Sequence, residues 1–171
     1  MIETATFFAN QNASKIFSNN LRITGIDLAG MFREYPTDST HLQFLEIPIE
    51  DFEPSQEFDL ITCVHGLHYL GDKLSAIQKA ASWIKKDGIF MASLDLENLK
   101  LVENKNSKPI FSGYFRQQGL VFNSKKHFLT LNGKRTFDLP FEYLGADDKA
   151  GPNYTGQPAV DSYYKMQDLF S

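Results

Sequence analysis

Two of the four histidines, His65 and His68, stand three positions apart in "FDLITCVHGLHYLGD", Phe58 to Asp72. Imidazoles at that spacing invite a metal-site reading, but two ligands need a third and a fourth. His41 and His127 lie in segments with no matching spacing, and Cys63 is the sole cysteine, so no metal site is expected and a four-cysteine zinc site is excluded. The competing reading is a buried strand that opens into a ligand cleft at Val64-His65-Gly66. There His65 is either a general base or a residue that shapes the pocket. Cys63, inside the apolar run, reads as a small core residue rather than a nucleophile. Asp27 closes another apolar run, "LRITGID". A carboxylate at a strand end can accept two hydrogen bonds from a ribose diol, or it can cap the next helix. Both readings of Asp27 stay open on the residues alone. Glu46 to Asp51 forms a third polar strand end. There is no Gly-x-Ser-x-Gly elbow and no Walker loop. "ADDKAG" has the turn formers but not the length of a calcium loop.

These residues need strands to hold them. Ile2, Ala5, Phe8, Ala9, Ala13, Ile16 and Phe17 fall near helical spacing and predict a first helix ending at "SNN". A strand over Leu21–Asp27, a helix around Met31 and Phe32, and a strand over Leu42–Ile47 follow, the last closed by Pro48. "FDLITCV" is the third strand. Leu74, Ile77, Ala80, Ala81 and Ile84 mark an amphipathic helix over Lys73–Lys86, stopped by Asp87-Gly88, and "IFMASLDL" is the fourth strand. Strand and helix alternate with nearly continuous apolar strands, the pattern of a parallel sheet covered by helices on both faces. From about Pro109 the pattern changes. A short helix ends at Gly119, two extended runs flank Asn132-Gly133 as a predicted hairpin, and "AVDSYYKM" is a last strand. Of the tyrosines 143, 154, 163 and 164, adjacent Tyr163 and Tyr164 must point to opposite faces of that strand; these rings either cover an acceptor side or pack the antiparallel edge.

The bulk numbers set bounds. One domain, residues 1–171, is expected from length, and 42% apolar with 22% charged residues is ordinary globular composition. A net charge of −4 argues against nucleic acid as a partner, and "SKKH" at Ser124 to His127 is too short to form a basic groove. No apolar run approaches the roughly 20 residues that span a bilayer. "MIETATFFANQNASKIF" lacks the build of a secretory signal, so a cytoplasmic location is expected. Fifteen phenylalanines and seven tyrosines read as core rather than as a stacking surface.

"LRITGIDLAG", followed by "IEDFEPSQEFDLITCVHGLHYLGDKLSAIQKAASWIKKDGIFMASL", resembles the class I S-adenosylmethionine-dependent methyltransferases. Members of that family carry an acid ending the second strand and an acidic-hydrophobic turn after the third. They read "FDL" to "LH(H/Y)L" across the fourth, then an amphipathic helix closing on Gly. The similarity covers residues 1–96. It implies an α/β, Rossmann-like, mainly parallel sheet with an antiparallel C-terminal edge. In this division residues 1–96 bind the cofactor and residues 97–171 form the substrate side. It further implies methyl transfer from S-adenosylmethionine to a small-molecule acceptor. Asp27 would hold the ribose hydroxyls, and Ile49, Glu50 and Asp51 would meet the adenine. Val64 and His65, with Cys63, would line the floor beside the sulfonium. His68 falls on a family histidine that starts the next helix.

Two departures matter. The acid expected one position earlier in the adenine turn is replaced by Pro48-Ile49, leaving Glu50 to substitute. No glycine-rich loop precedes Asp27, and "MIETATFFANQ" resembles the helix that follows that loop, so the family's first strand and loop are expected to be missing. The chain is accordingly expected to be a truncated fragment, poorly active or inactive; the alternatives are a decayed enzyme or a non-catalytic methyltransferase-like module that works by protein contact.

Overall fold

A computed structural model of the chain describes residues 21–28 and 42–167. The predicted first helix, the helix around Met31 and Phe32, and His41 lie outside the described residues. The chain divides into two compact units, Met1–Glu53 and Pro54–Ser171.

In the first unit, β1 (Ile23–Asp27) and β2 (Leu42–Glu46) pair in parallel, from Ile23 opposite Leu42 to Asp27 opposite Glu46. Gly25 lies opposite Phe44, whose ring fills the place of a side chain: a Cβ on Gly25 would sit 2.5 Å from Phe44 Cδ1. Pro48 ends the strand and opens a 3-10 turn, Ile49–Asp51, after which Phe52 is buried.

The second unit begins with β3 (Phe58–Cys63), which α1 (Lys73–Trp83) connects to the parallel strand β4 (Ile84–Ser93). Asp72 caps α1 by accepting from the Ser75 amide at 3.1 Å, and Leu74, Ile77, Ala80 and Ala81 bury the predicted face. Beyond β4 come β5 (Leu99–Leu101), α2 (Lys108–Gln117), β6 (Val121–Asn123), β7 (Phe128–Asn132), β8 (Phe141–Asp147) and β9 (Asp161–Met166). One sheet has the order β3-β4-β7-β6, with β7 antiparallel to both neighbours; the other has the order β5-β9-β8, with β5 parallel and β8 antiparallel to β9. The expected α/β architecture, with parallel pairs first and an antiparallel C-terminal edge, is present. The aromatic residues form core as expected: Phe111 and Tyr114 of α2 meet Phe141 at 5.0 and 5.1 Å between ring centroids. No described helix is long and apolar enough to cross a membrane.

Three expectations need correction. The Asn132-Gly133 hairpin does not form. Instead the amides of Gly133, Lys134 and Arg135 donate to the carbonyls of Gly88, Lys85 and Ala81 at 2.8, 3.0 and 3.0 Å. The same bonds explain why α1 stops at Trp83 rather than Lys86, because they take carbonyls around its end and draw Ile84–Gly88 into a bulged start of β4. The hairpin that does form joins β6 to β7 through "SKKH", where Asn123 Oδ1 accepts from the Lys125 and Lys126 amides and His127 turns the chain at φ 50°. The third correction concerns β3. Among the described residues it pairs only with β4, and Leu60 is 56% exposed, so it is not buried on both faces.

Candidate active site

The carboxyl ends of β3 and β4 lie side by side, because the strands are parallel and Cys63 pairs with Ala92. From β3 the chain passes exposed Val64 and enters a 3-10 segment, Gly66–Tyr69. His65 caps that segment in the left-handed region, φ 61° and ψ −14°, a conformation that costs a non-glycine residue about 1–2 kcal/mol. Strain of that kind gathers at functional sites. Gly66 follows because nothing larger fits: a Cβ there would lie 2.7 Å from Cys63 Sγ. Burial pushes the Cys63 thiol up to about 11, so it is protonated at neutral pH and no nucleophile.

His68 is fully buried in the 3-10 segment, with neither ring nitrogen hydrogen-bonded; His65 Nδ1 is likewise buried without a partner. Burial lowers the His68 pKa, the neighbouring His65 adds to the effect, and Asp95 opposes it. The two rings lie 5.9 Å apart between centroids. His68 thus packs beside His65 in the turn and precedes the helix rather than starting it.

At the end of β4, Asp95 caps a second 3-10 turn, Leu96–Asn98, accepting from the Glu97 amide at 3.0 Å and from the Tyr154 amide at 3.4 Å. His127 enters from the β6–β7 turn, fixed by its carbonyl accepting from Leu94 N at 2.9 Å; its Nδ1 faces Asp95 Oδ1 at 3.9 Å. Tyr154, on the loop before β9, stacks on His127 at 3.8 Å and meets His68 edge-on at 5.6 Å. Sequence spacing missed this convergence of three histidines, because His127 is far along the chain and reaches the site only through the hairpin. Asp95, Glu97, Lys108, Phe122, Ser124 and His127 line an adjoining cavity of about 350 Å³, within the range of small-molecule pockets. Among the described residues no three His, Cys, Asp or Glu side chains are placed to hold a metal ion.

The six residues expected to bind a cofactor divide between the two units. Asp27 is the exposed last residue of β1, and Ile49, Glu50 and Asp51 are the 3-10 turn after β2, all in the first unit. Val64 and His65 are in the second. Each of the six stands at or just beyond the carboxyl end of a strand, where open α/β sheets bind their ligands.

The family of methyltransferase domains matches residues 8–92. That match covers just under half of the chain. The match spans β1 to β4, the part of the chain that carries all six of those residues. No curated protein matches the chain. Among solved structures, the N-methyltransferase NodS from Bradyrhizobium japonicum WM9 is similar at 14% identity over 68% of this chain and 74% of that one, with a TM-score of 0.38. The same enzyme in complex with S-adenosyl-L-homocysteine matches at 15% identity over 67% and 66%, with a TM-score of 0.38.

Proposed function

We propose that this chain transfers the methyl group of S-adenosylmethionine to a small-molecule acceptor. The observation that carries the reading is the carboxyl end of β3. There a strained His65, with its Nδ1 buried and unpartnered, adjoins a glycine that leaves no room for a side chain. The strained turn supports a ligand site because it stands at the carboxyl end of a strand, where open α/β sheets bind their ligands. Asp27 is assigned to the ribose hydroxyls, Ile49, Glu50 and Asp51 to the adenine, and Val64 and His65 to the methyl-donating end. When bound, the cofactor supplies an electrophilic methyl carbon on a sulfonium.

The protein's own contribution is positioning and exclusion of water. Residues 1–96 serve the cofactor and residues 97–171 the acceptor, with the cavity beside Asp95 and His127 as the acceptor's place. His127 can take a proton from the acceptor, with Asp95 facing its Nδ1.

Calorimetric titration with S-adenosylhomocysteine tests the reading. Micromolar binding by the 171-residue chain, lost in Asp27→Ala, supports it. Binding only after the chain is extended upstream assigns the cofactor site to the longer protein. No binding by either leaves the non-catalytic module as the function.

A further inference from the structure

We propose that Lys73 is a positioning residue, fixing the His65–His68 segment and the Tyr154 loop relative to each other. Its value for catalysis rests on the methyl-transfer reading; its geometry does not. A lysine in the first turn of a helix has the wrong sign for the helix dipole, and a fully buried ammonium is costly unless its donors are satisfied. Lys73 is both, being the first residue of α1 and 0% exposed. A methionine would fill the same space without that cost, so the amine is held by its bonds.

One bond is local and two reach across to the start of β9. Lys73 Nζ donates to Leu70 O at 2.7 Å, to Val160 O at 2.7 Å and to Ser162 Oγ at 2.8 Å. Leu70 ends the 3-10 segment that carries His68, and Val160 is where the Tyr154 loop returns into β9. Val160 N closes the junction by donating to His68 O at 2.8 Å. The segment below the rings and the loop above them are therefore joined by one side chain and one peptide unit. The charged and titratable groups around the amine are Asp72 from the cap of α1, Asp161 and Tyr164 from β9, and His68 from the 3-10 segment. Burial lowers the Lys73 pKa while the two carboxylates raise it.

The test is amide hydrogen exchange and ring-proton NMR on the full chain. In Lys73→Met, exchange at His68 and Val160 is expected to rise by roughly tenfold beyond the change at Phe90 and Leu131 in the core. The Tyr154 and His127 ring signals should move together, and S-adenosylhomocysteine affinity should fall by a similar factor. Ser162→Ala, which keeps both carbonyl bonds, should change each by about threefold or less. Equal rises at Val160 and Phe90 with unmoved ring signals would overturn the proposal. The wild-type chain gives a reading even if Lys73→Met does not fold: His68 and Val160 should open as one unit with the same protection, and unequal protection refutes it. Should wild type bind no S-adenosylhomocysteine, the methyl-transfer reading fails alone, and the exchange result still decides the role of Lys73.

Discussion

The Tyr154 ring lies flat on the His127 imidazole, with centroids 3.8 Å apart and planes at 11°. It joins a turn-rich loop to the β6–β7 hairpin beside the same strand ends. Removing it in Tyr154→Ala should cost about 1 kcal/mol in urea unfolding, while Tyr154→Phe, which keeps the ring, should cost less than half of that. A loss of equal size in both variants would mean that the stack is not what holds the loop.

Gly66 and Cys63 should couple. A Cβ at Gly66 would press on Cys63 Sγ at 2.7 Å, so Gly66→Ala is expected to destabilise by about 1–3 kcal/mol. In a Cys63→Ala background most of that cost should vanish. A double-mutant cycle reads the coupling directly, and additive effects would place the strain elsewhere.

The Cys63 thiol, pushed up to about 11 by burial, should resist alkylation by iodoacetamide at pH 8 and react at the rate of an ordinary thiol only in denaturant. Rapid labelling of the folded chain at pH 8 would contradict the raised thiol pKa.

Lys73 predicts a pH dependence of opposite sign to the usual lysine case. Burial lowers its pKa from 10.5 to about 8, so above pH 8 the unfolded chain binds a proton that the native chain has released. Stability from this group therefore rises with pH, by about 1 kcal/mol between pH 8 and 9. The junction survives the loss of charge: a neutral amine keeps two N–H donors for Leu70 O and Val160 O and can accept from the Ser162 hydroxyl. Urea midpoints compared between wild type and Lys73→Met across that interval check the sign. The difference between them should shift in favour of wild type as pH rises, and a flat difference would mean that Lys73 keeps an ordinary pKa.

Where strands carry their own pattern, the sequence was a good guide. β1, β2, β3 and β9 fall where β-branched and apolar runs end at Asp27, Pro48, Cys63 and Met166. The buried face of α1 follows from the spacing of Leu74, Ile77, Ala80 and Ala81. What spacing could not show was competition between partners. Asn132-Gly133 has the local chemistry of a hairpin, yet its following amides found carbonyls at Gly88, Lys85 and Ala81 instead of a folded-back strand. A local turn signal carries no information about a carbonyl fifty residues upstream. The candidate site divides in the same way. Val64 and His65 were legible because they end a strand, whereas Asp95, His127 and Tyr154 come together only through the hairpin and the loop before β9. A lysine at the start of an amphipathic helix reads as solvated, and nothing around Lys73 in the sequence announces that three acceptors await it.

The second sheet has a bearing on how the chain is made. Its central strand, β9, leaves the ribosome well after β5, with which it pairs from Leu99–Ser162 to Leu101–Tyr164. Until residues 160–166 emerge, β5 and β8 have no strand between them, and the Lys73 amine lacks two of its three acceptors. Pairings of such long sequence separation form slowly. The nascent protein must therefore carry the β3 end and its histidines unfinished until β9 emerges, and the arrival of that strand is also the step that seals the site.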